Sequence, residues 1–275
     1  MVDFQAETLL ETSTVTVQDV VRPARAPHAS AMPDGARLVF PYRGAFVHEA
    51  GEEEIVADAN QVLLLNAEEP YRQSRPSDDG DASLVLIIEK SLLREMAPSD
   101  STPDGRLYFA HRRRRIDPRA QALVALLRHS LRTSTAEPLE AESLALTLAQ
   151  RALGARTSHA GADATFAQRR LVDRTKLVIA SDLARRWTLG EIAAEVGGSP
   201  VYLTQVFRQV EGVPLYRYQT RLRLARALDL IAQYEDLSAL SFDLGFSSHS
   251  HFTAAFKQAY ARTPTEFRRS ALGRK

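Results

Sequence analysis

Two hydrophobic rhythms divide the chain. Between Arg37 and Lys90, short apolar runs (LVFPYRGAFVHEA, EEEIVADANQVLLLNA and DASLVLIIEK) are cut by Ala50-Gly51, Asp58-Ala59-Asn60, Glu69-Pro70 and Asp78-Asp79-Gly80. Valine, isoleucine, phenylalanine and tyrosine between such breaks predict antiparallel strands. The spacing leaves no room for intervening helices, which favours a small sandwich or barrel. Past Pro103-Asp104-Gly105 the period lengthens. Leu123, Leu126, Leu127 and Leu131 mark one amphipathic helix within 118–132, and Leu139, Leu144, Leu146, Leu148 and Leu153 mark a second within 138–153. The polar tract GARTSHAGADA, 154–164, reads as a linker.

Beyond Phe166 every segment has helical periodicity, with stops at Gly197-Gly198, Gly212, Gly245 and Pro264. Helix starts are signalled by Thr188 with Glu191, by Ser199-Pro200, and by Thr263-Pro264 with Glu266. A unit repeats here at about 48 residues: Leu189, Ile192, Val196 and Gly197 align with Leu237, Leu240, Leu244 and Gly245. Leu203 and Phe207 then match Phe252 and Phe256, with one residue added in the second copy. A short helix, a glycine free to turn left-handed and a second helix with an i, i+4 apolar pair spell a helix-turn-helix. Between the copies, residues 214–233 predict a helix of about 30 Å, close to the ~34 Å turn of B-DNA. Its Arg217, Arg221, Arg223 and Arg226 suit phosphate contacts or the polar side of a spacer.

Charge sharpens this division. Of the 275 residues, 1–110 carry a net charge of −10, 111–168 carry +4 and 169–275 carry +7, as expected when only one end meets a polyanion. The absence of cysteine excludes disulfides, thiolate metal sites and thiol nucleophiles. No apolar run approaches the roughly 18 residues of a membrane span. The acidic N-terminus does not resemble a secretory signal, so a cytoplasmic location is expected. The Arg112 to Arg115 run could touch nucleic acid but reads rather as a solvated linker.

The strings EIAAEVGGSPVYLTQVFRQVEGVPLYRYQTRLRLARALDLI and LSALSFDLGFSSHSHFTAAFKQAYARTPTEFRRS resemble the paired helix-turn-helix domain of the AraC/XylS family of bacterial transcription regulators. The resemblance covers about 100 C-terminal residues. It implies an α+β chain: a cupin-like, effector-sensing β domain over 1–110, a helical dimerisation segment over 111–153, a flexible linker over 154–168 and a DNA-binding domain over 169–275. It further implies double-stranded DNA, a small-molecule effector, RNA polymerase and a second copy of the chain as partners. The chain departs from the family pattern at Ser241, Ala254 and Ala261, so the second motif is expected to lean more on backbone contacts.

With Leu203, Val206 and Phe207 facing inward, the first recognition helix offers Val201, Tyr202, Thr204, Gln205 and Arg208 to DNA. Gln205 can bond adenine through both amide atoms, and Val201 can pack on a thymine methyl. The second offers Ser248, His249, Ser250, His251, Thr253 and Lys257, the lysine for phosphate. His249 and His251, two apart on a helix, point away from each other, so no metal is expected there. In the β domain, Arg43, His48, Tyr71 and Arg72 could meet an anionic or aromatic effector. With only His28 and His48 among the first 110 residues, a ligand set for a metal cupin enzyme is missing. No catalytic residue, metal or cofactor is therefore expected; the alternative is a cupin-type enzyme with an appended DNA-binding domain.

Overall fold

The computed structural model describes residues 5–23, 29–74, 80–98, 101, 106–154 and 164–272. The expected turns at Asp78-Asp79 and Pro103-Asp104-Gly105, His28, and most of the expected linker lie outside them. In chain order the elements are β1 (Gln5–Glu11), β2 (Val15–Arg22), β3 (Ala29–Ala31), β4 (Arg37–Arg43), β5 (Phe46–Ala50), β6 (Glu53–Ala57), β7 (Gln61–Leu65), β8 (Tyr71–Ser74), β9 (Asp81–Ile88), α1 (Lys90–Met96) and β10 (Arg113–Arg115). There follow α2 (Pro118–Arg132), α3 (Pro138–Leu153), α4 (Phe166–Ser181), α5 (Leu189–Val196), α6 (Pro200–Glu211), α7 (Leu215–Leu230), α8 (Leu237–Asp243), α9 (His249–Tyr260) and α10 (Pro264–Ala271).

The strands make an antiparallel six-stranded sheet, β1-β2-β9-β4-β7-β10, and a four-stranded sheet, β3-β8-β5-β6. Side chains alternate between the faces of a strand, so the large sheet has two apolar faces. Val39, Leu63 and Val85 meet Phe46 and Ile55 of the small sheet and fill the interior between them. Leu38, Phe40, Leu64, Leu84 and Leu86 point the other way and pack on Val124, Leu127 and Leu148 of α2 and α3. The β region therefore starts well before Arg37, because the alternation VTVQDVVR of β2 pairs along its whole length with β9.

One expectation fails here. The Arg112 to Arg115 run is no solvated linker: Arg113–Arg115 pair with Gln61–Leu63 as the last strand of the large sheet. Every guanidinium finds an acceptor: Arg112 on Glu53 and Glu69, Arg113 on Asp173, Arg114 on the Leu153 carbonyl, and Arg115 on the Glu211 carbonyl. A guanidinium shielded from water is tolerated when it keeps acceptors of this kind. α2 is enclosed on two sides. It packs on the large sheet through Val124 and Leu127, and its Ala125, Ala122 and Leu126 complete the core formed by α7 to α10. α2 is thus a wedge between the large sheet and the helices α7 to α10.

Candidate nucleic-acid interface

Both helical pairs are built as their residues dictate. Thr188 and Glu191 cap α5 reciprocally. Gly197 then turns left-handed at φ +75°, and Ser199 caps α6 with Pro200 at its first position. Such devices satisfy main-chain donors that a helix start leaves open. Asp236 caps α8, Gly245 turns at φ +78°, and Ser248 caps α9. Ile192, Val196, Leu203, Val206 and Phe207 hold the first pair together, and Leu240, Leu244, Phe252 and Phe256 the second. Phe252 and Phe256 meet edge to face at 5.7 Å, an arrangement rings favour.

This packing leaves the expected reading faces outward. On α6, Val201 is 69% exposed and Tyr202 48%, with Thr204, Gln205 and Arg208 also exposed. The Thr204 hydroxyl donates to the Pro200 carbonyl at 2.9 Å, which leaves Gln205 and Arg208 as the more available donors. On α9, His249, Ser250, His251 and Lys257 are exposed and Thr253 is half-buried. Ser248 is half-buried, and its hydroxyl accepts the His251 amide as the helix cap, so its side chain is already engaged. His249 lies beside Thr253 and His251 beside Ser247, each pair sharing a hydrogen bond. No group of three or more side chains suited to a metal ion occurs among the described residues.

The spacer differs from expectation. α7 has 16 residues, about 24 Å, and ends at Leu230 instead of Gln233. Its arginines turn mostly inward. Arg226 pairs with Asp229, while Arg223 donates to the main chain of the α4–α5 loop and to Gly245. Only Arg217 stands exposed among the four, bonded to the neighbouring Tyr216 hydroxyl.

Sequence reasoning missed the polar seam joining the β region to the helices. Asp229, buried on α7, receives Arg43 from β4, Arg128 from α2 and Arg226 from its own helix. Burial would push its carboxyl up, but Arg128 and Arg43 outweigh that and hold it below the usual carboxylate range. The Tyr218 hydroxyl donates to buried Asp58 of the β6–β7 turn, whose carboxyl burial pushes up. Lys176 of α4 lies 2.6 Å from Glu211, both fully buried. Gln121 joins the Ala59 carbonyl to Asn60 and accepts from Tyr260 of α9. Apart from Arg226 and Asp229, these partners lie far apart in sequence, and no local pattern announces them.

The four expected effector residues separate. His48 and Tyr71 meet in the interior between the sheets, ring centres 5.0 Å apart, and burial together with Arg112 lowers the His48 pKa to about 4. Arg72 is exposed. Arg43 leaves the interior for Asp229 and lines a cleft of about 520 Å³ with Tyr42, Asp58, Leu222, Arg226 and Tyr234. That volume is in the range of small-molecule sites.

A family model described as a helix-turn-helix domain matches residues 192–270, which span both motifs. Residues 192–270 form a helix-turn-helix domain of the AraC type. The transcriptional regulator GadX of Escherichia coli O6:H1 is 36% identical over 95 residues, 34% of each chain. The match thus spans about a third of that relative's length. The transcriptional activator RhaR of Klebsiella pneumoniae is 25% identical over 242 residues, 84% of each chain. A solved regulator from Chromobacterium violaceum, described as AraC-type, is 25% identical over 39% of this chain and 96% of its own, with a TM-score of 0.37. The AraC-type domain is thus joined to a β region through the buried seam, and no helix among the described residues is long and apolar enough to cross a membrane.

Proposed function

We propose that the protein is a sequence-specific DNA-binding transcription regulator of the AraC type. The observation that carries this reading is the pair of helices α6 and α9, each with its apolar side buried and its hydrogen-bonding side facing solvent. Gln205 and Arg208 read bases on the first motif; His249 and Ser250 read them on the second; Lys257 holds phosphate. Val201 and Tyr202 add apolar contacts to thymine methyls. The net charge of +7 over residues 169–275 supports the same partner.

The β region, residues 1–110, senses a small molecule, and the cleft beside Arg43 is its site. Arg43 and Arg226 line the cleft together with Asp58, Asp182 and Asp243, so an occupant carrying an anionic group would bind against the two guanidiniums. An occupant would touch the β region, α4 and α7 at once, and so bias how the two motifs are presented. A homodimer through residues 111–153 would rest on the outer face of α3, since α2 is enclosed.

The test is selection of duplexes from a random-sequence pool by the full chain, followed by titration at two salt concentrations. A shared sequence among the selected duplexes, and a preference for it that survives added salt, are expected. Equal binding to all duplexes, weakening uniformly with salt, would overturn the reading.

A further inference from the structure

The DNA-binding reading above leaves open what sets the distance and angle between the two motifs. The length of α7 does not suffice, because a motif can pivot about the end of a rod. The contacts that stop such pivoting converge on one side chain. Arg223, midway along α7, donates from Nε to the Leu183 carbonyl at 2.9 Å and from Nη2 to the carbonyls of Ala184 at 3.3 Å and Arg185 at 2.8 Å. From Nη1 it donates to the Gly245 carbonyl at 3.0 Å. The first three belong to the loop that leads into α5; the fourth is the turn residue of the second motif.

The two segments it joins also touch each other. A Cβ at Gly245 would overlap the Ala184 carbonyl oxygen, and Arg186 of the same loop donates to the Phe246 carbonyl at 3.3 Å. Guanidinium is suited to this position, because its planar fork presents donors in several fixed directions at once. Lysine has a single ammonium and cannot span both segments in the same way. We infer that Arg223 is a positioning residue that locks the turn of the second motif to the entry loop of the first, and so sets the half-site spacing the protein accepts. It is not a base reader, since four of its five donors are spent on the protein itself.

The inference rests on the DNA-binding reading, and its test separates the two. Full-length wild type, Arg223→Lys and Arg223→Gln are titrated on the duplex that wild type selects. They are also titrated on versions with one or two base pairs inserted between the half-sites, and on versions with either half-site scrambled. Wild type should fall steeply when the spacing changes. Arg223→Gln should bind the selected duplex about tenfold more weakly, as expected when two linked readers lose part of their effective concentration. Its affinity for duplexes with one half-site should stay close to wild type, its preference for spacing should flatten, and its salt slope should be unchanged. Arg223→Lys should fall between the two, and it serves alone if the glutamine variant does not fold by circular dichroism. Equal weakening on every duplex, with the salt slope reduced by about one, would identify a phosphate contact and overturn the inference. Unchanged spacing preference in both variants would overturn it as well. If wild type selects no sequence, it is the DNA-binding reading that fails, and this inference with it.

Discussion

Replacing Asp229 by Asn removes one negative charge from beneath three guanidiniums and leaves the side-chain shape nearly intact. The partner with least freedom is Arg128, whose side chain is 6% exposed, 2.7 Å from Asp229 and stacked 4.1 Å over the Tyr42 ring. Losing a hydrogen bond of this charged kind costs about 1.5–3 kcal/mol. Arg43 and Arg226, near 30% exposed, can turn towards water, and pairs of that kind contribute about 0.2–1 kcal/mol each. The expected loss is about 3 kcal/mol, at the lower end of the cost of breaking a buried pair. Because the folded Asp229 carboxyl titrates below its ordinary value, its contribution is fully present above the ordinary carboxylate pKa and is lost as pH falls through the lower folded one. Urea unfolding followed by circular dichroism at neutral and acidic pH measures both. The variant should be weaker at pH 7, and its deficit should narrow as pH falls below the ordinary carboxylate range. A variant within about 0.5 kcal/mol of wild type at pH 7 would show that Asp229 is not the joint described here.

Four further outcomes follow from the same contacts. Ala261 caps α9 at φ +57°, where a Cβ is strained, so Ala261→Gly should raise stability by about 1 kcal/mol, read from the urea midpoint. His48 stays neutral down to about pH 4 while an unfolded histidine takes up its proton near 6.5; stability should therefore fall as pH drops between those values, and His48→Phe should flatten that slope in urea titrations. Small carboxylates and phosphates at millimolar concentration should raise the melting temperature of wild type more than that of Arg43→Gln. Gln205→Ala should cost about 1–3 kcal/mol on the selected duplex and relax one base position, whereas Lys257→Ala should weaken all duplexes alike and lower the salt slope by about one.

Much of the DNA-binding half was legible because its signals are local. Gly197 and Gly245 mark turns that need a left-handed residue, Thr188–Glu191 and Thr263–Glu266 announce helix starts within four residues, and the pairs Leu203–Phe207 and Phe252–Phe256 betray the buried side of each reading helix. The position of Ala261, noticed as a departure from the family pattern, acquires its physical meaning from the backbone angle there. The end of α7 was overread because no glycine or proline marks Leu230, and the apolar run continues through Ile231.

What stayed hidden depends on partners distant in sequence. Four consecutive arginines look the same whether solvated or buried, and the acceptors of Arg113 and Arg115 lie 60 and 96 residues away. The enclosure of α2 was hidden too: its leucines mark only one side, while Ala122 and Ala125 are small enough to let the second motif approach the opposite side of the same helix. Asp229 carries no motif and Asp58 reads only as part of a turn; both acquire their roles when α7 is laid against the β region.

The most direct measurement of the central claim is a hydroxyl-radical footprint of the full chain on its selected duplex, with methylation interference for the major groove. Two reading helices on one domain should protect two patches on the same face of the DNA, about one helical turn apart, and Gln205→Ala should weaken the first patch alone. A single patch, or two that persist unchanged when the outer residues of both α6 and α9 are replaced, would contradict it.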